Sequence, residues 1–220
     1  MKLKILVILP LLFSLNSCGQ YNIKKSTVEV EKEAINSEQQ EIITKAKRLK
    51  ELYQKASSSS NDVTIYYNQF FEEFPANFQE FIKIYGYEED GDNTKYGILY
   101  DESYNHVCVL YKKIGNSIPP NEYYNKLINL CIGGFWQSDG VSCLEMVAKE
   151  FIQNNTKSFI EILSKRNTKE IQSFWHFYFD GPHPPEVIPK ELEGIKQLNS
   201  QIYQLMEAVL KAVQEDWKDH

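Results

Sequence analysis

The sequence contains none of the short motifs that common catalytic and nucleotide-binding sites require. It has no GxSxG elbow, no HExxH motif, no glycine-rich phosphate loop and no dinucleotide-binding fingerprint. Only four histidines occur, and no serine or cysteine stands beside them in a spacing that suggests a nucleophile. These absences favour a non-enzymatic protein, and we expect no bound cofactor.

Cysteine is scarce as well, with four residues in the chain and no CxxC pair. A zinc ribbon and a thioredoxin-like redox site are therefore disfavoured. Cys108, Cys131 and Cys143 are either buried core thiols or include one disulfide. Because Cys131 and Cys143 flank the glycine-rich corner at residues 133–140, any disulfide is predicted to join these two, with Cys108 buried and free.

The N-terminus has the layout of a secretory signal. A basic start is followed by an apolar run at residues 5–13, which is too short to span a bilayer as a helix, since that needs about 20 residues. The segment closes with Leu15-Asn16-Ser17-Cys18-Gly19, which resembles a bacterial lipobox. The alternative is an ordinary signal peptide with an incidental cysteine.

The lipobox resemblance implies that residues 1–17 are removed and that Cys18 carries a fatty acid such as palmitate. Gly19 follows the cysteine, and residues 20–25 contain no acidic cluster. By resemblance to known sorting patterns, this implies an anchor in the outer membrane, with the body of the protein facing the periplasm. No later segment is apolar enough to cross a membrane.

The charge balance is acidic. The chain has 24 Lys and Arg against 30 Asp and Glu, and loss of two lysines with the signal leaves 22 against 30, a net charge of −8. Such a surface repels phosphates, so we expect no nucleic-acid partner. It suits a basic protein partner.

Helical spacing of apolar residues predicts an all-α fold. Residues 19–62 carry a heptad-like stripe and end in a serine run, which predicts a tether of about 15 residues and one amphipathic helix. The clearest later stripe is Leu144, Val147, Ala148, Phe151 and Ile152. The predicted organisation is a signal peptide (1–17), a lipid-anchored tether and helix (18–62) and a helical globular domain (63–220).

Two segments could depart from this pattern. Residues 96–111 are predicted to be helical, with a short β-hairpin as the alternative. The acidic residues 88–93 are rich in oxygen ligands but do not fit an EF-hand loop, so they are predicted to form a solvated turn. At residues 133–140, Asp139 is expected to cap the following helix, and Trp136 is expected to pack beneath the loop.

The most unusual composition lies at residues 173–185, where five aromatic rings fall within six positions and a proline-rich loop follows. One interpretation is a central core helix. The other is a partner-binding surface, because aromatic residues are enriched at interface centres. The candidate partner-binding residues are Trp175, His176, Phe177, Tyr178, Phe179, Asp180 and His183. A metal site at His176, Asp180 and His183 lacks a fourth ligand and is not predicted.

Taken together, a lipobox and a small, acidic, aromatic-rich helical body resemble uncharacterised envelope lipoproteins of Gram-negative bacteria, some of which are immunity proteins that neutralise a secreted toxin. The resemblance implies a membrane-tethered protein-binding lipoprotein. One alternative is an envelope hydrolase acting on cell wall or polysaccharide, with carboxylates drawn from Asp139, Glu145, Glu150 and Asp180. Another is a structural or assembly lipoprotein whose helix at 35–56 pairs with a second chain.

Overall fold

The fold is all-α, as predicted, in a computed structural model that describes residues 18–58, 63–91 and 93–218. The predicted signal peptide lies outside these residues. A 3-10 turn (Tyr100–Glu102) and a π-helix (Tyr104–Tyr111) precede α4, and a second 3-10 turn (Lys190–Leu192) precedes α8. The other elements are α1 (Cys18–Ser58), α2 (Val63–Glu73), α3 (Phe78–Tyr85), β1 (Tyr87–Asp90), β2 (Asn93–Tyr96), α4 (Lys112–Ile114), α5 (Pro120–Cys131), α6 (Gly140–Leu163), α7 (Thr168–Phe179), α8 (Ile195–Leu198) and α9 (Ser200–Asp216).

Helix α1 is continuous where a tether and then a helix were predicted. The described residues from Ile42 onward form one compact unit, and the part of α1 up to Glu41 belongs to another. Within the larger unit α1 buries an apolar stripe at helical spacing and pairs Lys50 with Glu102 at 2.9 Å. The last part of α1 therefore belongs to the globular body. The buried residues of its stripe are Ala46, Leu49, Leu52 and Ala56.

Aromatic rings form the centre of the core. Tyr111 on the π-helix stacks on Phe74, with ring centroids 4.1 Å apart, and also on Tyr123 of α5 at 5.0 Å. Tyr123 in turn contacts Phe151 of α6 at 4.7 Å. Such offset and tilted ring pairs add to the free energy gained from burial alone. A continuous row of aromatic rings thus connects α5, α6 and the π-helix.

The disulfide differs from the predicted one. Cys108 of the π-helix is bonded to Cys143 of α6, with 5.2 Å between their Cα atoms, and Cys131 is a buried free thiol. The predicted Cys131–Cys143 pair was wrong because Cys108 of the π-helix, and not Cys131 of α5, lies beside Cys143, although both of these helices pack against α6. Sequence proximity across the 133–140 corner did not determine which sulfurs meet.

The hairpin also lies elsewhere than the alternative placed it. Strands β1 and β2 pair antiparallel, with Tyr87 opposite Tyr96, and residues 104–111 are helical as predicted. Gly91 follows β1 with φ +59°, the left-handed region that tight hairpin turns use. Of the acidic segment that was predicted as a solvated turn, residues 88–90 lie in strand β1 and Gly91 follows the strand. No helix among the described residues is long and apolar enough to span a bilayer.

Candidate functional site

The aromatic segment of α7 is core. Phe177 and Phe179 were expected to be part of a partner-binding surface if one forms here, yet they are 1% and 2% exposed, and Trp175 and Tyr178 are buried with them. That expectation was wrong because α9 packs along α7 on one side while Phe177 meets Phe78 of α3 on another, with ring centroids 5.8 Å apart. Neighbouring helices cover the rings that a single amphipathic face would leave outside.

Of the polar residues predicted to bind a partner, Asp180 makes structural contacts and the two histidines do not come together at a metal site. Asp180 accepts hydrogen bonds from the backbone N–H of Trp136 at 2.6 Å and from Nε1–H of Trp217 at 2.8 Å. It therefore joins the end of α7 to the 133–140 corner and the C-terminal helix. His183 is exposed and His176 is half-buried. Among the described residues, no group of three His, Cys, Asp or Glu could hold a metal ion.

A groove lies beside that corner, between α3, β1 and the segment before α6, and we call it the hairpin groove. Its volume is ≈ 320 Å³. Phe135 is 45% exposed there, next to the half-buried Trp136, and the lining also includes the exposed Glu88 and Glu89 of β1. The groove thus combines aromatic surface with negative charge. It is lined by Gln79, Ile82, Tyr87, Glu88, Glu89, Phe135, Trp136 and Gln137.

Gln137 holds the two walls of the hairpin groove together. Its Oε1 accepts a hydrogen bond from the backbone N–H of Tyr87 at 3.2 Å, and its Nε2–H donates to the carbonyl oxygen of Tyr87 at 2.7 Å. The side chain is 7% exposed, so these bonds satisfy groups largely withdrawn from water. They fix the start of β1 against the 133–140 corner.

The floor of the groove rests on the buried rings of α7 and α3. Phe135 packs edge-on against Phe78, with centroids 5.1 Å apart. A Cβ at Gly134 would lie 2.5 Å from the ring of Phe177, so only glycine allows the backbone this close to α7. The predicted α7 rings therefore support the groove from below.

A tyrosine cluster adjoins the hairpin. Tyr96 and Tyr100 lie 4.6 Å apart between ring centroids, and both also contact Tyr87. The hydroxyl of Tyr100 donates to Oδ2 of Asp139, and this hydrogen bond is the main cause that raises the pKa of Tyr100 to about 12. Asp139 precedes α6 with φ +58°, but its side chain makes no bond to the helix end, so the predicted cap is absent.

The four carboxylates considered for a hydrolase are each engaged in a structural contact. Glu145 pairs with Lys149, and Glu150 pairs with Lys112 at 2.5 Å. Burial raises the pKa of Glu145, although Lys149 acts in the opposite direction. Asp139 and Asp180 have the hydrogen bonds described above. None of the four lines the hairpin groove.

A buried histidine, His106 of the π-helix, contacts α1 and α3. Nδ1 of His106 is 3.0 Å from the hydroxyl of Tyr85, and the imidazole lies tilted against the ring of Tyr53 of α1, with centroids 4.7 Å apart. Nε2 has no hydrogen-bond partner among the described residues. Desolvation lowers the pKa of His106 to about 4, so the ring is neutral at pH 7.

Sequence reasoning missed the groove residues, although one signal for them was present. Gly91-Asp92 is a dipeptide typical of two-residue hairpin turns, and tyrosines lie four residues before it and four residues after it. That pattern predicts a hairpin that ends at Tyr87 and Tyr96. No comparable signal marks Gln137, whose partner is a backbone group fifty residues earlier.

Comparisons with protein-family models, with curated proteins and with solved structures found no match. The function must therefore be inferred from the residues and geometry of this chain itself.

Proposed function

We propose that this chain is a lipid-anchored, non-enzymatic protein of the cell envelope that binds a protein partner through the hairpin groove. The observation that carries the proposal is the exposed ring of Phe135 beside Trp136, in a groove of ≈ 320 Å³ that Glu88 and Glu89 also line. Exposed aromatic surface next to a charged rim is typical of the centre and edge of protein interfaces.

The chemistry of the groove favours a basic partner. Carboxylates attract lysine and arginine, and aromatic faces bind the same cations. The whole chain is also negatively charged, with a net charge of −6 before any processing. Complementary charge speeds the encounter of partners and excludes those with a negative surface.

The finer proposal is that the partner is a secreted toxin and that this chain is its immunity protein. It is supported by the layout of the sequence, in which a lipobox ending at Cys18 precedes a small acidic helical body. An anchor in the outer membrane, with the body in the periplasm, would place the binding surface where such a toxin arrives.

Site-specific photo-cross-linking tests the binding surface. A photoreactive amino acid replaces Phe135 in the full chain, and a matched variant carries it at Leu198, which is equally exposed (46%) on α8, outside the groove. We expect a cross-linked protein at position 135 and none at 198. Equal products at both positions would contradict the proposal.

The cross-linked protein is then identified by mass spectrometry and purified for binding measurements. We expect Phe135→Ala to weaken its affinity by about tenfold or more, as loss of a central aromatic contact does. His183→Ala serves as the comparison, because His183 is the exposed member of the surface predicted from sequence. A loss confined to His183→Ala would instead place the partner on the loop after α7.

A further inference from the structure

The hydrogen-bond pattern of the hairpin determines which backbone groups face the groove. The N–H of Gly97 donates to the carbonyl of Gly86 at 2.8 Å, just outside the facing pair Tyr87 and Tyr96. In an antiparallel ladder, this makes Tyr87 and Tyr96 a pair whose own N–H and C=O groups point away from each other. The outward groups of Tyr87 are those that Gln137 binds.

Glu89 repeats this geometry two residues further along β1. It faces Thr94, so its N–H and C=O also point away from β2 and toward the hairpin groove. Within the described part of the chain, neither group has a hydrogen bond outside the hairpin. The edge of β1 therefore has one position paired by a side chain and the next one open, beside exposed aromatic surface.

We propose that this open edge of β1 accepts an extended segment of a basic protein, which pairs with Glu89 as a third strand. The inference rests on the proposed function and specifies how its partner is recognised. Backbone hydrogen bonds supply affinity in this mode, and side-chain pockets supply specificity. Unpaired edges invite such pairing, and β1 (Tyr87–Asp90) contains no proline that would block it.

The charges around the edge select the occupant. Successive strand residues point to opposite faces, so Glu88 and Glu89 place one carboxylate on each side of the incoming strand. Lysine or arginine at neighbouring positions of that strand meets these carboxylates and the ring of Phe135. A second copy of this chain would bring the same acidic hairpin and be repelled.

The test uses the full chain and, as the probe, a blocked hexapeptide in which two neighbouring lysines are flanked by valines (Val-Val-Lys-Lys-Val-Val), observed by backbone amide NMR. We expect submillimolar binding, with shifts at residues 87–90 and slower hydrogen exchange at the amide of Glu89. Two control peptides are the same hexapeptide with glutamate in place of lysine and the lysine hexapeptide with an N-methylated backbone. Both should bind at least about tenfold more weakly, because charge complementarity and strand pairing are both required.

Matched proline variants separate the two edges of the hairpin. Glu89→Pro removes an N–H that points into the groove, whereas Thr94→Pro removes one that points outward from β2. We expect Glu89→Pro to abolish binding and Thr94→Pro to change it less than about twofold. Glu89→Gln, which keeps the backbone donor, should weaken binding a few-fold and reduce its salt dependence.

Other outcomes would overturn the inference. These are no shifts at residues 87–90 at millimolar peptide, equal binding of the glutamate peptide, a loss confined to Thr94→Pro, or concentration-dependent self-association through the hairpin. If a partner still cross-links at position 135 in Glu89→Pro, the groove binds without strand addition, and the proposed function stands while this inference fails. If position 135 captures no partner but the peptide binds as expected, the proposed function is the part that fails.

Discussion

Gln137 acts at the scale of a single residue, yet it positions a whole element. Both polar atoms of its amide bind the backbone of Tyr87, so the side chain takes the place of a neighbouring strand at the edge of β1. A two-stranded hairpin of this length is marginally stable by itself. Its place beside the groove therefore depends on this contact.

We expect Gln137→Ala to lower the free energy of unfolding by about 2 kcal/mol, because two hydrogen bonds are lost and backbone groups of Tyr87 are left unpaired. Denaturant titration measures this loss. Gln79→Ala is the matched control, since Gln79 lines the same groove but is exposed, and it should change stability by less than about 0.5 kcal/mol. Equal effects of the two variants would show that Gln137 does not anchor the hairpin.

His106 makes stability depend on pH. Burial lowers its pKa in the folded protein from 6.5 to about 4, so the unfolded chain binds a proton at a higher pH than the folded one. The contribution of His106 is complete above pH 6.5 and is lost as the pH falls toward 4, by at most about 3 kcal/mol. Glu102 and Lys50 act on it in opposite directions and partly cancel.

We therefore expect the melting temperature to fall between pH 6.5 and 4, and His106→Phe to flatten this part of the profile. Phenylalanine keeps an aromatic ring beside Tyr53 and Phe70 without a group that titrates. His183→Phe, at an exposed position, should keep the full dependence. An unchanged slope in His106→Phe would assign the acid sensitivity to carboxylates instead.

At the scale of elements, periodicity was sufficient to predict what each segment forms but not what it packs against. The stripe of α1 predicted an amphipathic helix, and its buried members Ala46, Leu49 and Leu52 show which surface covers it: the chain's own core. From residue 46 onward, the apolar face of this helix is therefore buried within its own chain and is not available to pair with a second chain. The π-helix at 104–111 buries side chains at helical spacing, as predicted. Its contacts with α6 bring Cys108 beside Cys143.

We expect peptide mass mapping of oxidised protein to recover Cys108 linked to Cys143. Cys143→Ala should lower the free energy of unfolding by about 3–4 kcal/mol, because the bond closes a long loop between residues 35 positions apart. Cys131→Ala is the control: it removes the buried free thiol and should leave the bridge intact. A bridge that contains Cys131 would contradict this arrangement of the helices.

At the scale of the whole molecule, the proposal joins an anchor at one end of the chain to a binding surface in the globular unit. Residues 42–220 form that unit, and the groove lies entirely within it. An acidic body is repelled by anionic lipid, so the proposed attachment would depend on the acyl chain. The lipid and the groove can therefore be tested by separate substitutions.

We expect labelled fatty acid to enter the wild-type chain and not Cys18→Ala when both are expressed in a Gram-negative host. The lipobox resemblance assigns the acyl chain to this sulfur alone. Cys131→Ala is again the control and should be labelled as the wild type is. Equal labelling of Cys18→Ala would remove the anchor from the proposal without affecting the groove.

The sequence by itself determined the all-α class, the helical state of residues 104–111 and the acidic charge. These properties depend on the spacing of apolar residues and on local backbone preferences, which a short window of sequence contains. Only the tertiary structure decided that Cys108 meets Cys143, that Phe177 and Phe179 are covered, and that Gln137 reaches Tyr87. These outcomes depend on contacts between residues far apart in the chain. The packing of whole helices decides which of these residues meet, and the sequence around each residue does not distinguish its partner from other candidates.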